Sequence, residues 1–585
     1  MKRKAPDGTW LGFADTYGVA TEVRGRSVPE ADRIQLWGSV PVGQALTLIA
    51  SMLKDLDLAE EPARAIEAGW VEQLAEGELR TQLKAALGDD VRLLPPQMLL
   101  LAALEAIAHC PQGNPSNDLT GLGGIFEAVL GIAEDSASPR VGGEEWGGLD
   151  SGLASELIAQ QYFGQTVSPI DQLAWVNESW RAPWARPTVK DKLIKQAGGE
   201  PGELFLEATG IEIDDFASVG VHLWVQAQQH GFIRFPSAFF DRLGLDRGAV
   251  GQFLDETSTN LAGVKAAVAA ERLRTGSSRW AFHALRRHPI IRFDNGEWLV
   301  LRIGFVIQRA LGDVTYLDVR NYLRGLDDAA GTKREVAFRA CLGSSLEASV
   351  GRTLERMFPR VGSTRRVFDE ITMQKTWASK KGQMPSVCDF AVDCGDVWLL
   401  FDVTDRRIPE TLINGTAGGA QLDAELDVVL TEKKAKQFAA TVRHLSNEMY
   451  KLTKGRTLPG TRFVCVVVTP TGGLGWNPAI NRRAQERLNT MQVLQSGKVL
   501  PLSIMSVRDL TELEGAMERG HSASELLVEW RSSAARFSFE QLLLLLRVPL
   551  NRSQWVQGAG LRLIDDLVER LQVFQGAAEP GAGAQ

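Results

Sequence analysis

Two aspartates thirteen positions apart, Asp389 and Asp402, are the residues in this chain whose type and setting point to chemistry. They lie in SVCDFAVDCGDVWLLFDVTDRR. Cys394-Gly395-Asp396 reads as a turn between two strands. Side chains alternate along a strand, so Asp389, Ala391 and Asp393 share one side of the first strand. Trp398, Leu400, Asp402 and Thr404 share a side of the second. Asp402 is the lone acid in the apolar run Trp398–Val403. A buried carboxylate is costly unless it is paired or ligates a metal. Two such acids on neighbouring strands can hold Mg²⁺ or Mn²⁺, hard cations that take oxygen ligands and keep several waters. The other reading of the same residues is structural: strand-end charges that meet Arg406, Arg407 or Lys375.

The elements around this pair have a definite order. A long amphipathic helix starts near Glu335, with Phe338, Leu342, Leu346, Val350 and Leu354 four apart, and Pro359 ends it. Arg366–Trp377, Val387–Asp393 and Val397–Thr404 read as strands. A loop with Gly415, Gly418 and Gly419 leads to a helix over Leu422–Met449. Strand Phe463–Val468, a helix near Pro478–Gln492 and strand Leu500–Val507 follow. This order predicts an α/β sandwich with a mixed sheet.

In that order the segment 335–515 resembles the PD-(D/E)xK, or restriction-endonuclease-like, nuclease superfamily. The resemblance rests on Glu347 in the leading helix, Asp389 on one strand, Asp402-Val403-Thr404 at the acid-x-Lys position, and Lys434-Ala435-Lys436-Gln437-Phe438 on the next helix. It implies that Asp389, Asp402, the Val403 carbonyl and Glu347 hold Mg²⁺ or Mn²⁺, and that Lys434 and Gln437 polarise and orient a phosphodiester. The pattern departs at two places. Thr404 stands where the family has lysine, and Pro385 lies four residues before Asp389. Lys434 is the first substitute for the missing cation and Lys375 the second. On the residues alone, Lys434 also reads as a solvated charge in Glu432–Lys436, and Glu347 as a surface carboxylate paired with an arginine.

The implied activity is a metal-dependent endonuclease cutting nucleic acid, DNA first, in bacterial anti-phage defence. The alternative is an inactive nuclease fold that serves as a nucleic-acid-binding or scaffold subunit. The N-terminal helical region is expected to bind a protein partner or a second copy of the chain.

The rest of the 585 residues frames this segment. Residues 1–200 read as mostly helical, with helices from Val42, over Met98–His109, Leu122–Ala133 and Gly152–Tyr162. Trp175, Trp180 and Trp184 are expected to fill a seam. Residues 201–334 form a mixed, mostly helical middle region. It has helices Leu204–Thr209 and Ile213–Gln229, and a hairpin whose turn is Asp294-Asn295-Gly296. The run FHALRRHP there reads as a solvated helix end or a backbone contact for nucleic acid. Helices fill 516–575, and 576–585 reads as a disordered tail.

Composition narrows the class. The net charge is −8, yet 335–515 holds 24 Lys and Arg against 20 Asp and Glu, leaving −12 for the remainder. Five cysteines without a C-x-x-C pair exclude a disulfide scaffold and argue against structural zinc. No G-x-x-x-x-G-K-[ST] and no G-x-S-x-G occurs. The basic N-terminus lacks an apolar segment behind it, and no apolar run reaches the ~20 residues of a membrane span. The expected location is therefore cytoplasmic, with no membrane partner.

Overall fold

The computed structural model describes residues 18–58, 61–88, 91–136, 158–160, 162–164, 184, 191–243, 245–276, 278–326, 329–362, 364–379, 382–417, 419–428, 433–454, 460–470, 497–532, 538–550 and 552–572. It is a mixed α/β structure with helical bulk and two mixed sheets.

The helices Val42–Leu58, Pro96–His109 and Leu122–Ser136 bury Leu46, Ile49, Met52, Leu99 and Phe126 against one another. Pro96 opens its helix, where a missing N–H costs nothing. Two polar knots tie the bundle. Arg33 and the Trp37 indole both donate to Glu105, and fully buried Glu67 accepts from the backbone N–H groups of Leu93 and Leu94. Of the expected helix Gly152–Tyr162, positions 158–160 and 162 are helical, and the others lie outside the described residues. Trp175 and Trp180 also lie outside them. Trp184 is buried edge-on against Phe205 and Phe338.

In the middle region, helix Ile213–His230 stops at Gly231, whose φ of 69° closes the C-terminus. The first sheet is built from β1 (Arg234–Pro236), β2 (Ser258–Asn260), β3 (Ile290–Arg292) and β4 (Glu297–Val300), in the order β1-β4-β3-β2. The β3–β4 hairpin turns at Asn295-Gly296, with Gly296 at φ 80°.

Helix Ala329–Met357 is 29 residues long and serves two cores. Phe338, Cys341 and Leu342 pack with the middle region, while Leu346, Val350 and Leu354 pack on the second sheet. That sheet runs β5 (Val367–Asp369), β6 (Phe390–Asp393), β7 (Val397–Val403), β8 (Arg462–Thr469) and β9 (Ser503–Ser506), in consecutive order. The β5–β6 and β6–β7 pairs are antiparallel, and β7–β8 and β8–β9 parallel. The expected strand Arg366–Trp377 is corrected: only Val367–Asp369 is extended, and Glu370–Thr376 is a helix. Asp369 is the reason, since its carboxylate caps the helix by accepting from the Thr372 N–H at 2.7 Å. The single helix expected over Leu422–Met449 is two, Gly419–Leu426 and Lys434–Thr453. The helix expected near Pro478–Gln492 lies outside the described residues.

Alternation along β7 decides what each face meets. Leu399, Phe401 and Val403 face helix Ala329–Met357. Trp398 and Leu400 face the other way, in one core with Phe438 and Leu445 of helix Lys434–Thr453. This second core is continuous with the N-terminal bundle. Among the described residues, no single helix is long and apolar enough to cross a membrane.

Candidate acidic site on the second sheet

The β6–β7 register pairs Phe390 with Phe401. One step further, the same register sets Asp389 opposite Asp402. Asp402 has no exposed surface and Asp389 is 8% exposed. The Asp389 Oδ2 accepts from the Val403 N–H at 2.6 Å, which ties the end of β6 to β7. Helix Lys434–Thr453 crosses this face and begins with a cation that reaches both acids. The Lys434 ammonium donates to Asp402 Oδ1 and, at 2.9 Å, to the Val403 carbonyl, and lies 4.0 Å from Asp389 Oδ2. One turn on, the buried Gln437 amide donates to Val387 O at 2.9 Å. Thr441 accepts from the Cys388 N–H and donates to Gln437 O, fixing the chain that leads into Asp389.

Electrostatics in this pocket oppose a charge on Asp402. Burial pushes its pKa well above the usual carboxylate range, the neighbouring Asp389 pushes it further, and Lys434 offsets part of this. Two buried acceptors, Asp402 Oδ2 and Gln437 Oε1, have no partner among the described residues. Native interiors rarely leave such atoms unmet. The pocket thus presents hard oxygen atoms around one ammonium, a donor set of the kind that Mg²⁺ or Mn²⁺ takes together with waters. Two carboxylates are in place. No group of three or more His, Cys, Asp or Glu at metal-binding spacing exists among the described residues.

The cations named as structural partners for the two acids are engaged elsewhere or stand clear. Arg406 pairs with Glu425 and Arg407 with Asp405, while Lys375 is exposed. Asp389, Asp402, Val403, Lys434 and Gln437 are brought together. Glu347 comes from a different element. It sits half-buried on the helix that covers the opposite face of the sheet. Its neighbours one turn away on either side are Gly343, which abuts Asp405, and Gly351, which is pressed against the Phe390 ring.

One residue near the pocket escaped the sequence reading. The β5–β6 register pairs Asp369 with Phe390, so its next step sets Glu370 opposite Asp389. Burial and the Asp389 charge raise the Glu370 pKa, against the pull of Lys433 and Lys434. Its carboxylate accepts from Gln374 at 2.8 Å. The available signal was Asp369-Glu370 followed by Thr372, an N-cap with an acid in the first turn.

Two other candidates are resolved. FHALRRHP is in part buried, although the Arg287 side chain keeps 43% of its surface exposed. Arg286 is 4% exposed and lies over the Tyr162 ring, and burial depresses the His283 and His288 pKa values to about 4. Thiol chemistry is disfavoured, because burial raises all five cysteines above their ordinary range, Cys394 to about 11.

Comparison with known proteins leaves the chain without a family: no family profile and no solved structure matches it. One stretch of 90 residues is 26% identical to 2-succinyl-5-enolpyruvyl-6-hydroxy-3-cyclohexene-1-carboxylate synthase of Pectobacterium carotovorum subsp. carotovorum (strain PC1). That stretch is 15% of this chain and 16% of the synthase.

Proposed function

We propose that this chain is a metal-dependent phosphodiesterase of the restriction-endonuclease-like kind that cuts nucleic acid, DNA first, in bacterial anti-phage defence. The observation that carries the catalytic part is the convergence of Asp389, Asp402 and Lys434 on one buried point where the sheet meets a helix. The defence context rests on the resemblance alone. Asp389, Asp402 and the Val403 carbonyl would hold Mg²⁺ or Mn²⁺, which when bound supplies Lewis-acid activation of water and charge stabilisation at the phosphodiester. Lys434 supplies the positive charge that Thr404 lacks. Its ammonium already stands between the acids, where it meets the charge that builds on a phosphoryl oxygen. Gln437, with its unpartnered Oε1, orients an incoming water or phosphate from one turn away. The apolar walls from Trp398, Leu400 and Phe438 keep bulk water from weakening these interactions.

The test is purified protein with Mg²⁺ or Mn²⁺ against plasmid, linear and single-stranded substrates, beside Asp402→Asn. Cutting by wild type that the variant lacks supports the reading; no cutting under any metal overturns it. A second reading is favoured by one observation: Lys434 engages both Asp402 and the Val403 carbonyl, as a purely structural cation would. In that reading the fold is inactive and serves as a nucleic-acid-binding or scaffold subunit.

A further inference from the structure

Two helices border the acidic pocket on its solvent side, Glu370–Thr376 and Lys434–Thr453. They run side by side in the same direction. Lys433 and Lys434 act electrostatically on Glu370 at the start of the short helix, and Trp377, just past its end, stacks on His444 at 5.0 Å. The exposed charged side chains on the short helix and along 433–444 are Lys375, Lys433, Lys436 and Arg443, all cations. Among the described residues, none of the four has a side-chain hydrogen bond or an ion pair. They gather on one surface of a chain whose net charge is −8. The cations start beside the acid pair at Lys433 and extend ten residues to Arg443, ~15 Å along the helix. Each strand of a duplex carries one phosphate per ~3.4 Å of axis, so this length matches about four phosphates.

We propose that Lys375, Lys433, Lys436 and Arg443 form a phosphate-tracking platform that lays a nucleic-acid backbone across these two helices and feeds it to Asp389 and Asp402. The inference rests on reading the pocket as a nucleic-acid site, and it names the surface through which the substrate arrives. Backbone contacts of this kind position without reading sequence. Their energy comes from counterion release and falls with salt.

The experiment measures binding of a fluorescein-labelled 20-nucleotide strand, and of its duplex, in EDTA between 50 and 300 mM salt. The variant is Lys375→Gln/Lys433→Gln/Lys436→Gln/Arg443→Gln. The control, Arg242→Gln/Arg247→Gln/Lys265→Gln/Arg272→Gln, removes the same charge from exposed positions of the middle region. The platform variant is expected to bind at least about tenfold more weakly. Its log–log salt slope should shrink by about three, at roughly 0.7–0.9 for each phosphate no longer neutralised. The control should bind as wild type does. Unchanged binding by the platform variant overturns the inference, as does an equal loss in the control. Competition by polyglutamate as strong as by unlabelled DNA also overturns it, and points to an acidic protein partner. Because EDTA removes metal, binding is scored apart from cutting. Wild type that binds in this way but never cuts overturns the nuclease reading alone. Wild type that cuts while the platform variant binds unchanged overturns this inference alone.

Discussion

Replacing Lys434 by methionine removes the cation between the two acids and keeps an unbranched side chain one atom shorter. Asp402 then keeps only the neighbouring Asp389 beside it, in a position with no solvent exposure, and the Val403 carbonyl loses its donor. Breaking a buried pair by deleting one member costs about 3–5 kcal/mol. Protonation of Asp402 limits that cost, so the lower figure of about 3 kcal/mol applies. For a unit of the size of 335–515, this is a fall of roughly 6–12 °C in Tm. The sign of the pH dependence follows from the raised pKa of Asp402, caused by burial and then by Asp389. A carboxyl with a raised folded pKa favours folding at low pH and loses that contribution as pH rises through the folded value. The Lys434→Met penalty should therefore grow as pH rises from 5 to 8. Asp402→Asn should behave oppositely. It abolishes a charge that burial and Asp389 both disfavour, while Lys434 keeps the Val403 carbonyl and Asp389. In EDTA it should melt at or above wild type at pH 8, and the double variant should recover most of the Lys434→Met loss. Calorimetry of the four proteins at both pH values in EDTA tests this. An Asp402→Asn protein that loses as much as Lys434→Met at pH 8 would show a mutually stabilising structural pair, and the argument for a poised acid would fail.

Three further outcomes are expected. Glu370→Gln should weaken Mn²⁺ binding severalfold by titration calorimetry, since it removes the third negative charge beside Asp389; unchanged affinity would place Glu370 outside the site. Thr404→Lys in the Lys434→Met background should regain part of any nuclease activity, because it returns a cation to the end of β7; no recovery would show that position 404 cannot serve the pocket. His288 has its pKa lowered to about 4 by burial and then by Arg287. The stability it contributes is present above pH 6.5 and lost as pH falls toward 4, so His288→Asn should flatten the decline in Tm over that window, and an unaltered slope would refute this.

The local readings succeeded where a residue and its near neighbours settle the backbone. Asn295-Gly296 can take the positive φ that a tight hairpin needs, and Gly231 the left-handed cap of Ile213–His230. In Val397–Val403 a continuous apolar run identifies a strand covered on both faces, so Asp402 could be recognised as a buried acid before any fold was known. The strand–turn–strand around Cys394-Gly395-Asp396 then sets Asp389 across from it, because alternation and register are local properties.

Pairings between distant segments were beyond that reach. Which cation met Asp402 depended on where helix Lys434–Thr453 crossed the sheet; Arg406, Arg407 and Lys375 stood as alternatives to Lys434 until packing chose Lys434. Glu370 joined the neighbourhood only through the pairing of β5 with β6, after a capping aspartate had ended the strand that β-propensity alone would have continued. The charged run FHALRRHP reads as surface in one dimension, yet the fold buries Arg286 against Tyr162 and half-buries both histidines. Glu347 keeps its place on the leading helix, but the pleat puts that helix on the face away from Asp402. Alternation fixes which residues of a strand share a face; only the long-range packing of helices on the two faces decides what each residue meets there.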